Sequence, residues 1–198
     1  MFIQTVETPN PNTIKFVPGE ALTNGDVYDF KNIDETKSSP LAHRLFNLEN
    51  ITGVMIGADF VSVTKDTQAS WDVIKPIVLG ALMDHFGSGD SVVDVKSIDV
   101  NDGISDADAI KYSETDQEIV NQIKDMLDTR IRPAVAVDGG DIIFGRYENG
   151  VVYLRLKGAC SGCPSSTVTL KNGIENMLRH YIPEVLEVKA EETPDNAT

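Results

Sequence analysis

Two cysteines, Cys160 and Cys163, are the only ones in the chain, and they stand three positions apart in Gly158-Ala159-Cys160-Ser161-Gly162-Cys163-Pro164-Ser165-Ser166. Thiols at this spacing can hold a metal or an iron–sulfur cluster, or interconvert with a disulfide. Gly158 and Gly162 let the backbone turn tightly and bring main-chain N–H groups near the sulfurs. Pro164 suits the first turn of a helix, whose N-terminus directs partial positive charge at the loop. These features predict lowered thiol pKa values and thiolates ready to act as ligands. A [4Fe–4S] cluster takes four thiolates and one chain offers two. Either two chains share a cluster across a two-fold axis, or the missing ligands come from elsewhere.

Other residues offer little. His43, His85 and His180 are all the histidines. Each falls on a predicted helix without ligand spacing to the cysteines, and each is read as structural or surface. A thiol–disulfide oxidoreductase fits the spacing, but a thioredoxin-like site would sit in a strand–helix–strand unit of a parallel sheet. Here the motif follows a predicted antiparallel hairpin. A pair of merely structural cysteines, or incidental zinc shared by four sulfurs of two chains, completes the alternatives. The residues alone leave these readings open.

The elements that must position the loop are legible on both sides of it. Residues 142–147 and 151–157 read as strands joined by Asn149-Gly150, a strong hairpin signal. Val152, Leu154 and Leu156 point to one face, with Tyr153 and Arg155 on the other, an ordinary solvated face. A helix follows to about His180, with Leu170, Ile174, Met177, Leu178 and Tyr181 as its apolar stripe, and residues 185–188 form a last strand. Ahead of the hairpin, Ile119, Ile123, Met126 and Leu127 mark a helix that Pro133 ends. Asp138-Gly139-Gly140-Asp141 is a sharp turn, with Asp141 as its cap.

Residues 2–7 and 13–17 form an earlier hairpin around Thr8-Pro9-Asn10-Pro11-Asn12. Ser39-Pro40 opens a helix with Leu41, Leu45 and Leu48 on its face. Strands at 53–56 and 60–64 follow, joined at Gly57-Ala58. A longer helix from Ser70 carries Trp71, Ile74, Val78, Leu82 and Phe86 and ends at Gly87-Ser88-Gly89. Pro76 inside it predicts a bend or strain. The pattern predicts an α+β protein of two small sandwich-like domains, each an antiparallel sheet packed with helices. Residues 1–93 make the first, residues 94–114 an acidic linker, residues 115–190 the second and residues 191–198 a disordered tail.

The chain has 198 residues, 41% hydrophobic and 24% charged, with a formal net charge of −14. That charge opposes binding to nucleic acid or to an anionic membrane surface. No stretch approaches the ~20 apolar residues of a spanning helix. The N-terminus resembles neither a secretory signal nor a transit peptide, although an imported protein could be trimmed ahead of this numbering. Two closely spaced cysteines point to intracellular redox or metal chemistry rather than a secreted disulfide framework. Neither a catalytic triad nor a phosphate-binding loop is recognisable, so no enzyme is expected.

The ordered run Asp138-Gly139-Gly140-Asp141, Gly150-Val151-Val152, residues 156–166 through the two cysteines, and Thr169-Leu170-Lys171-Asn172-Gly173-Ile174-Glu175 resembles the C-terminal domain of NifU, the Nfu-type iron–sulfur scaffold and carrier. Phe2-Ile3-Gln4-Thr5, residues 8–12, Lys15-Phe16 with Pro18-Gly19, and residues 57–61 resemble the Nfu N-terminal domain. Residues 28–37 and the acidic linker match no such signature. The resemblance implies Cys160 and Cys163 as cluster ligands and a [4Fe–4S] cluster shared between two chains of a homodimer. It further implies an upstream cluster donor and apo iron–sulfur client proteins. A bacterial cytoplasm is the expected compartment, or a mitochondrial matrix if the numbering begins at a processed form.

Overall fold

The computed structural model describes residues 2–94, 112–161 and 164–191, with the side chains of 164–166 left out. Most of the predicted linker, the tail and Cys163 lie outside the described residues. The chain divides into two compact units, Met1–Asp99 and Val100–Thr198.

In the first unit, β1 (Gln4–Glu7) and β2 (Thr13–Val17) pair antiparallel with Glu7 opposite Ile14. The turn between them is held by its own side chains. The Asn12 N–H donates to Asn10 Oδ1 (3.0 Å), and the Thr13 N–H donates to the Asn10 carbonyl (2.9 Å). A short strand, β3 (Tyr28–Phe30), and a 3-10 turn (Ile33–Ser38) precede helix α1 (Pro40–Phe46). Strands β4 (Ile51–Ile56) and β5 (Val61–Lys65) complete a five-stranded antiparallel sheet of order β1-β2-β5-β4-β3. Gly57 permits the β4–β5 turn, because a Cβ there would meet the Phe60 ring at 2.5 Å.

Helix α2 (Trp71–Ser88) runs through Pro76 without interruption and stops at Gly89, whose φ of 73° is left-handed. Pro76 is exposed, so the Asp72 carbonyl it leaves without an N–H can be hydrated. Leu41 and Leu45 of α1 and Ile74, Val78 and Leu82 of α2 bury against Phe16, Val54, Ile56, Val61 and Val63 of the sheet. Ser39 accepts from the Ala42 N–H (3.0 Å) as the expected cap. Its hydroxyl also donates to the Val92 carbonyl (2.6 Å), tying the chain after α2 to the start of α1.

The second unit opens with α3 (Glu114–Met126), capped by Ser113, whose Oγ accepts from the Asp116 N–H at 3.2 Å. Pro133 does not end the helical pattern. A π-helical turn (Leu127–Ile131) leads into α4 (Arg132–Val137), with Pro133 in its first turn. A fresh helical start needs no N–H from Pro133, and the wide turn keeps Leu127, Ile131 and Val135 buried on one side.

Strands β6 (Gly140–Glu148) and β7 (Val151–Gly158) form the expected hairpin. Asn149 and Gly150 both hold positive φ, 49° and 84°, as a two-residue hairpin turn of matching twist requires. Helix α5 (Pro164–Tyr181) then crosses to β8 (Glu187–Ala190). The α+β class holds, but β8 pairs parallel to β7, with Val152 opposite Val188, so this sheet is mixed rather than antiparallel. Ile174 and Leu178 of α5 are buried, whereas Met177 and Tyr181, assigned to the same stripe from spacing, are exposed. Among the described residues no helix is long and apolar enough to cross a membrane.

Candidate functional site

Cys160 lies where β7 gives way to α5, in the first connection of a strand–helix–strand unit. Gly158, with φ of 61°, closes the turn. The Ser161 N–H (3.1 Å) and its hydroxyl (2.9 Å) both donate to the Gly158 carbonyl. Two further hydrogen bonds clamp the loop to its neighbours. The Ala159 N–H donates to the Gly139 carbonyl (3.1 Å), and the Thr167 hydroxyl donates to the Cys160 carbonyl (3.1 Å). Gly140 forms the floor under the sulfur, since a Cβ there would stand 2.3 Å from Cys160 Sγ. The glycine pair in the Asp138–Asp141 turn therefore does more than turn the chain. Gly139 takes a left-handed φ of 75°, and Gly140 leaves room for the thiol.

Asp141 does not cap this turn. It is 4% exposed and takes a two-pronged hydrogen bond from Arg132, Nε to Oδ1 at 2.8 Å and Nη2 to Oδ2 at 2.9 Å. Asp128 accepts from the same guanidinium at 3.1 Å. The pair pins the start of β6 to α4, and it raises the Arg132 pKa still further above its usual value. Arg132 carries no sequence signal as a partner of Asp141, because nine residues of helix end and turn separate them. Only the fold closes that distance.

The expected activation of the thiol is reversed for Cys160. Only 6% exposed and part of the apolar core, its thiol is pushed up to about 12, first by burial and then by the carboxylates of Asp138 and Asp141. Burial away from water disfavours the charged thiolate, and the two nearby carboxylates add to that. Cys160 is a free cysteine. Cys163, its expected companion, lies outside the described residues.

The three histidines fall at separate places in the fold. His43 and His85 belong to the first unit, where His43 Nδ1 is 2.9 Å from the Thr36 hydroxyl and His85 is buried in α2. His180 sits at the far end of α5, roughly 24 Å along the helix from its start, edge-on to Tyr181. Among the described residues no cluster of three or more His, Cys, Asp or Glu side chains could hold a metal ion. Tyr153 and Arg155 lie half-buried on the sheet face. The Arg146 guanidinium stacks 3.8 Å from the Tyr153 ring, and Arg146 and Arg155 both pair with Glu191.

The described part of the site is thus a buried thiol whose loop is clamped by hydrogen bonds at a strand–helix junction of an α+β domain. Comparison with known proteins gives the family. Residues 3–89 match the family model described as "Scaffold protein Nfu/NifU N terminal", and residues 123–189 match the "NifU-like domain". The curated protein "NFU1 iron-sulfur cluster scaffold homolog, mitochondrial" of Drosophila sechellia is 52% identical over 190 residues, 96% of this chain. Its Drosophila willistoni counterpart is 48% identical over the same length. The chain spans about two thirds of these relatives, 64% and 63% of their lengths. A solution structure of a NifU-like protein from Saccharomyces cerevisiae matches at 31% identity and a TM-score of 0.44, covering 48% of this chain and 86% of the other. The chain belongs to the Nfu-type scaffold family, with its N-terminal and NifU-like domains in one polypeptide.

Proposed function

We propose that the chain binds a [4Fe–4S] cluster through Cys160 and Cys163, shares it with a second copy of itself, and passes it to apo iron–sulfur proteins. An upstream donor supplies the cluster, and the protein acts as a carrier rather than an enzyme. The observation that carries this reading is the clamped Cys160 loop, with its sulfur seated on Gly140, in a chain that has two thiols where the cluster takes four. The names of the relatives support cluster scaffolding, and they favour a mitochondrial location over a bacterial cytoplasm.

The chemistry is ligand exchange without net oxidation or reduction. Each incoming client thiol gives up its proton and bonds to an iron, while the cysteine thiolate it displaces takes a proton. Four thiolates on a [4Fe–4S]²⁺ core leave a charge of −2, which loop N–H groups and two helix N-termini can stabilise. Two ligands per chain release the cluster more readily than four in one chain would.

The topological argument against a thiol–disulfide oxidoreductase does not survive, because β7, α5 and β8 form a parallel strand–helix–strand unit after all. Family membership supports the cluster reading instead. The test is anaerobic loading with iron and sulfide. About four irons and four sulfides per dimer are expected. A reversible disulfide with no bound iron would establish the redox reading.

A further inference from the structure

The outward face of α2, in the first unit, is largely apolar. Val73, Ile77 and Met83 are 64%, 51% and 50% exposed, while Ile74, Val78 and Leu82 of the same helix are buried in the core. A surface helix ordinarily turns charged and polar side chains to water. Here the charged residues of the exposed face are Asp72 and Asp84, and both are acidic. Gly80 lies between Ile77 and Met83, with nothing within 4 Å of where its Cβ would stand. Glycine weakens a helix interior, and no described neighbour requires one at this position. A groove of about 500 Å³ adjoins the face, between the β1–β2 turn and the start of α2. Pro11, Ile14, Trp71 and Pro76 wall it, and Glu7, Asp72 and Lys75 bring its charges. The Trp71 Nε1–H donates to the Pro11 carbonyl (3.0 Å), which fixes the indole as a wall. Groove and face share Asp72 and Pro76. Pro76 has no N–H to give the Asp72 carbonyl, so that acceptor is left for another donor beside the Asp72 carboxylate.

We infer that the groove and the exposed face of α2 form a docking site for a basic amphipathic helix of a partner protein. The apolar side of that helix covers Val73, Ile77 and Met83, and Gly80 lets the two backbones approach closely. Its lysines or arginines answer the carboxylates of Glu7, Asp72 and Asp84 and the Asp72 carbonyl. Charge selects this occupant. Residues 1–94 carry six Lys and Arg against thirteen Asp and Glu. Of those six, Lys65 is buried and Arg44 pairs with Asp90. A second copy of the chain, at −14, or an anionic membrane meets repulsion instead. The inference stands apart from the shared cluster, because residues 1–94 hold no cysteine and binding is read on the apo chain.

The test uses the full apo chain and reads the fluorescence of Trp71, its single tryptophan, which lines the groove. The probe is a synthetic peptide of about five helical turns, with leucine and lysine set so that the leucines share one face. A scrambled peptide of the same composition and one with glutamate for lysine are the comparisons. Wild type is set against Val73→Ser/Ile77→Ser and against Leu186→Ser, an equally exposed position (63%) in the second unit. Serine is as good a helix former as valine or isoleucine, so the double variant should melt with wild type. The lysine peptide should shift Trp71 emission, and added salt should weaken its binding. The double variant should bind it about tenfold or more weakly, and Leu186→Ser should bind it as wild type does. The scrambled peptide should lose about tenfold, and the glutamate peptide should not bind. Failure of wild type to bind the lysine peptide would overturn the inference. So would a double variant within about twofold of wild type, or a scrambled peptide that binds equally well, since charge alone would then suffice. Binding to phosphatidylglycerol vesicles but not to the peptide would make the face a membrane contact and overturn it. An apo dimer that the double variant dissociates would overturn it in favour of a second copy.

Discussion

Replacing Gly140 by alanine tests whether the second glycine of the Asp138–Asp141 turn is there for the sulfur. The added Cβ would stand 2.3 Å from Cys160 Sγ, 3.1 Å from Cys160 Cβ and 3.0 Å from the Lys157 carbonyl. Ordinary contact begins at 3.4 Å, so the sulfur must retreat by about 1.1 Å or the strand pairing of Gly140 with Gly158 must open. Overpacking of a filled site costs about 1–3 kcal/mol. The upper half applies here, because one neighbour is backbone and the cysteine loop is clamped by two hydrogen bonds. Gly173→Ala is the matched control. Nothing lies within 4 Å of its Cβ position, it sits inside α5, and alanine should stabilise the helix by about 1 kcal/mol. Urea unfolding of both apo variants gives the stabilities, and iron content after loading reports whether the displaced sulfur still serves as a ligand. Gly140→Ala should lose both stability and iron, and Gly173→Ala should lose neither. A Gly140→Ala protein with wild-type stability and full iron would refute the argument that this glycine seats the thiol.

Arg132→Ala should destabilise the apo protein more than Asp141→Ala, by roughly 2–4 against 1–2 kcal/mol, because Arg132 alone can turn to water while Asp141 is left buried and unpaired; equal losses in urea would contradict this. Cys160→Ala and Cys163→Ala should each abolish retained iron on gel filtration, and His180→Ala should change nothing. Cys160→Ala should in addition cost about 1 kcal/mol, since that thiol packs in the core. His85 is buried with Nε2 lacking a hydrogen-bond partner among the described residues, and burial first, then Arg44, lower its pKa, against Asp90 and a hydrogen bond to the Ser91 backbone. The unfolded chain therefore binds a proton more readily. The stability His85 contributes is complete above about pH 6.5 and lost as pH falls towards its folded value, a slope that His85→Leu should remove from urea midpoints measured across this range. A chain starting at Ser113, tested for loading and for timed activation of two apo-enzymes, should keep near-normal iron but deliver it more slowly and unequally to clients; equal rates would deny the first domain a targeting role.

Features that depend on neighbours along the chain were legible before any folding was considered. Ser39-Pro40 and Ser70 could be read as helix starts because a cap is a contact within three residues. Asn149-Gly150 marked its turn because positive φ is a property of those residues. The strand alternation of Val152 and Leu154 and the paired cysteines needed no partner to be seen. Short β3 was missed, since three residues carry no period and its place is set by register against β4. Pro133 misled because a wide turn just before it absorbs the lost N–H, a response that the tertiary burial of Leu127, Ile131 and Val135 makes worthwhile. The direction of β8, the hand of Arg132 on Asp141 and the seat of Cys160 on Gly140 were decided only when distant segments met. The Cys160 thiol is the sharpest case. Local chemistry argued for an acidic thiol, yet burial beside two carboxylates raises it, because desolvation is a property of everything packed around a group and not of the residues next to it in the chain.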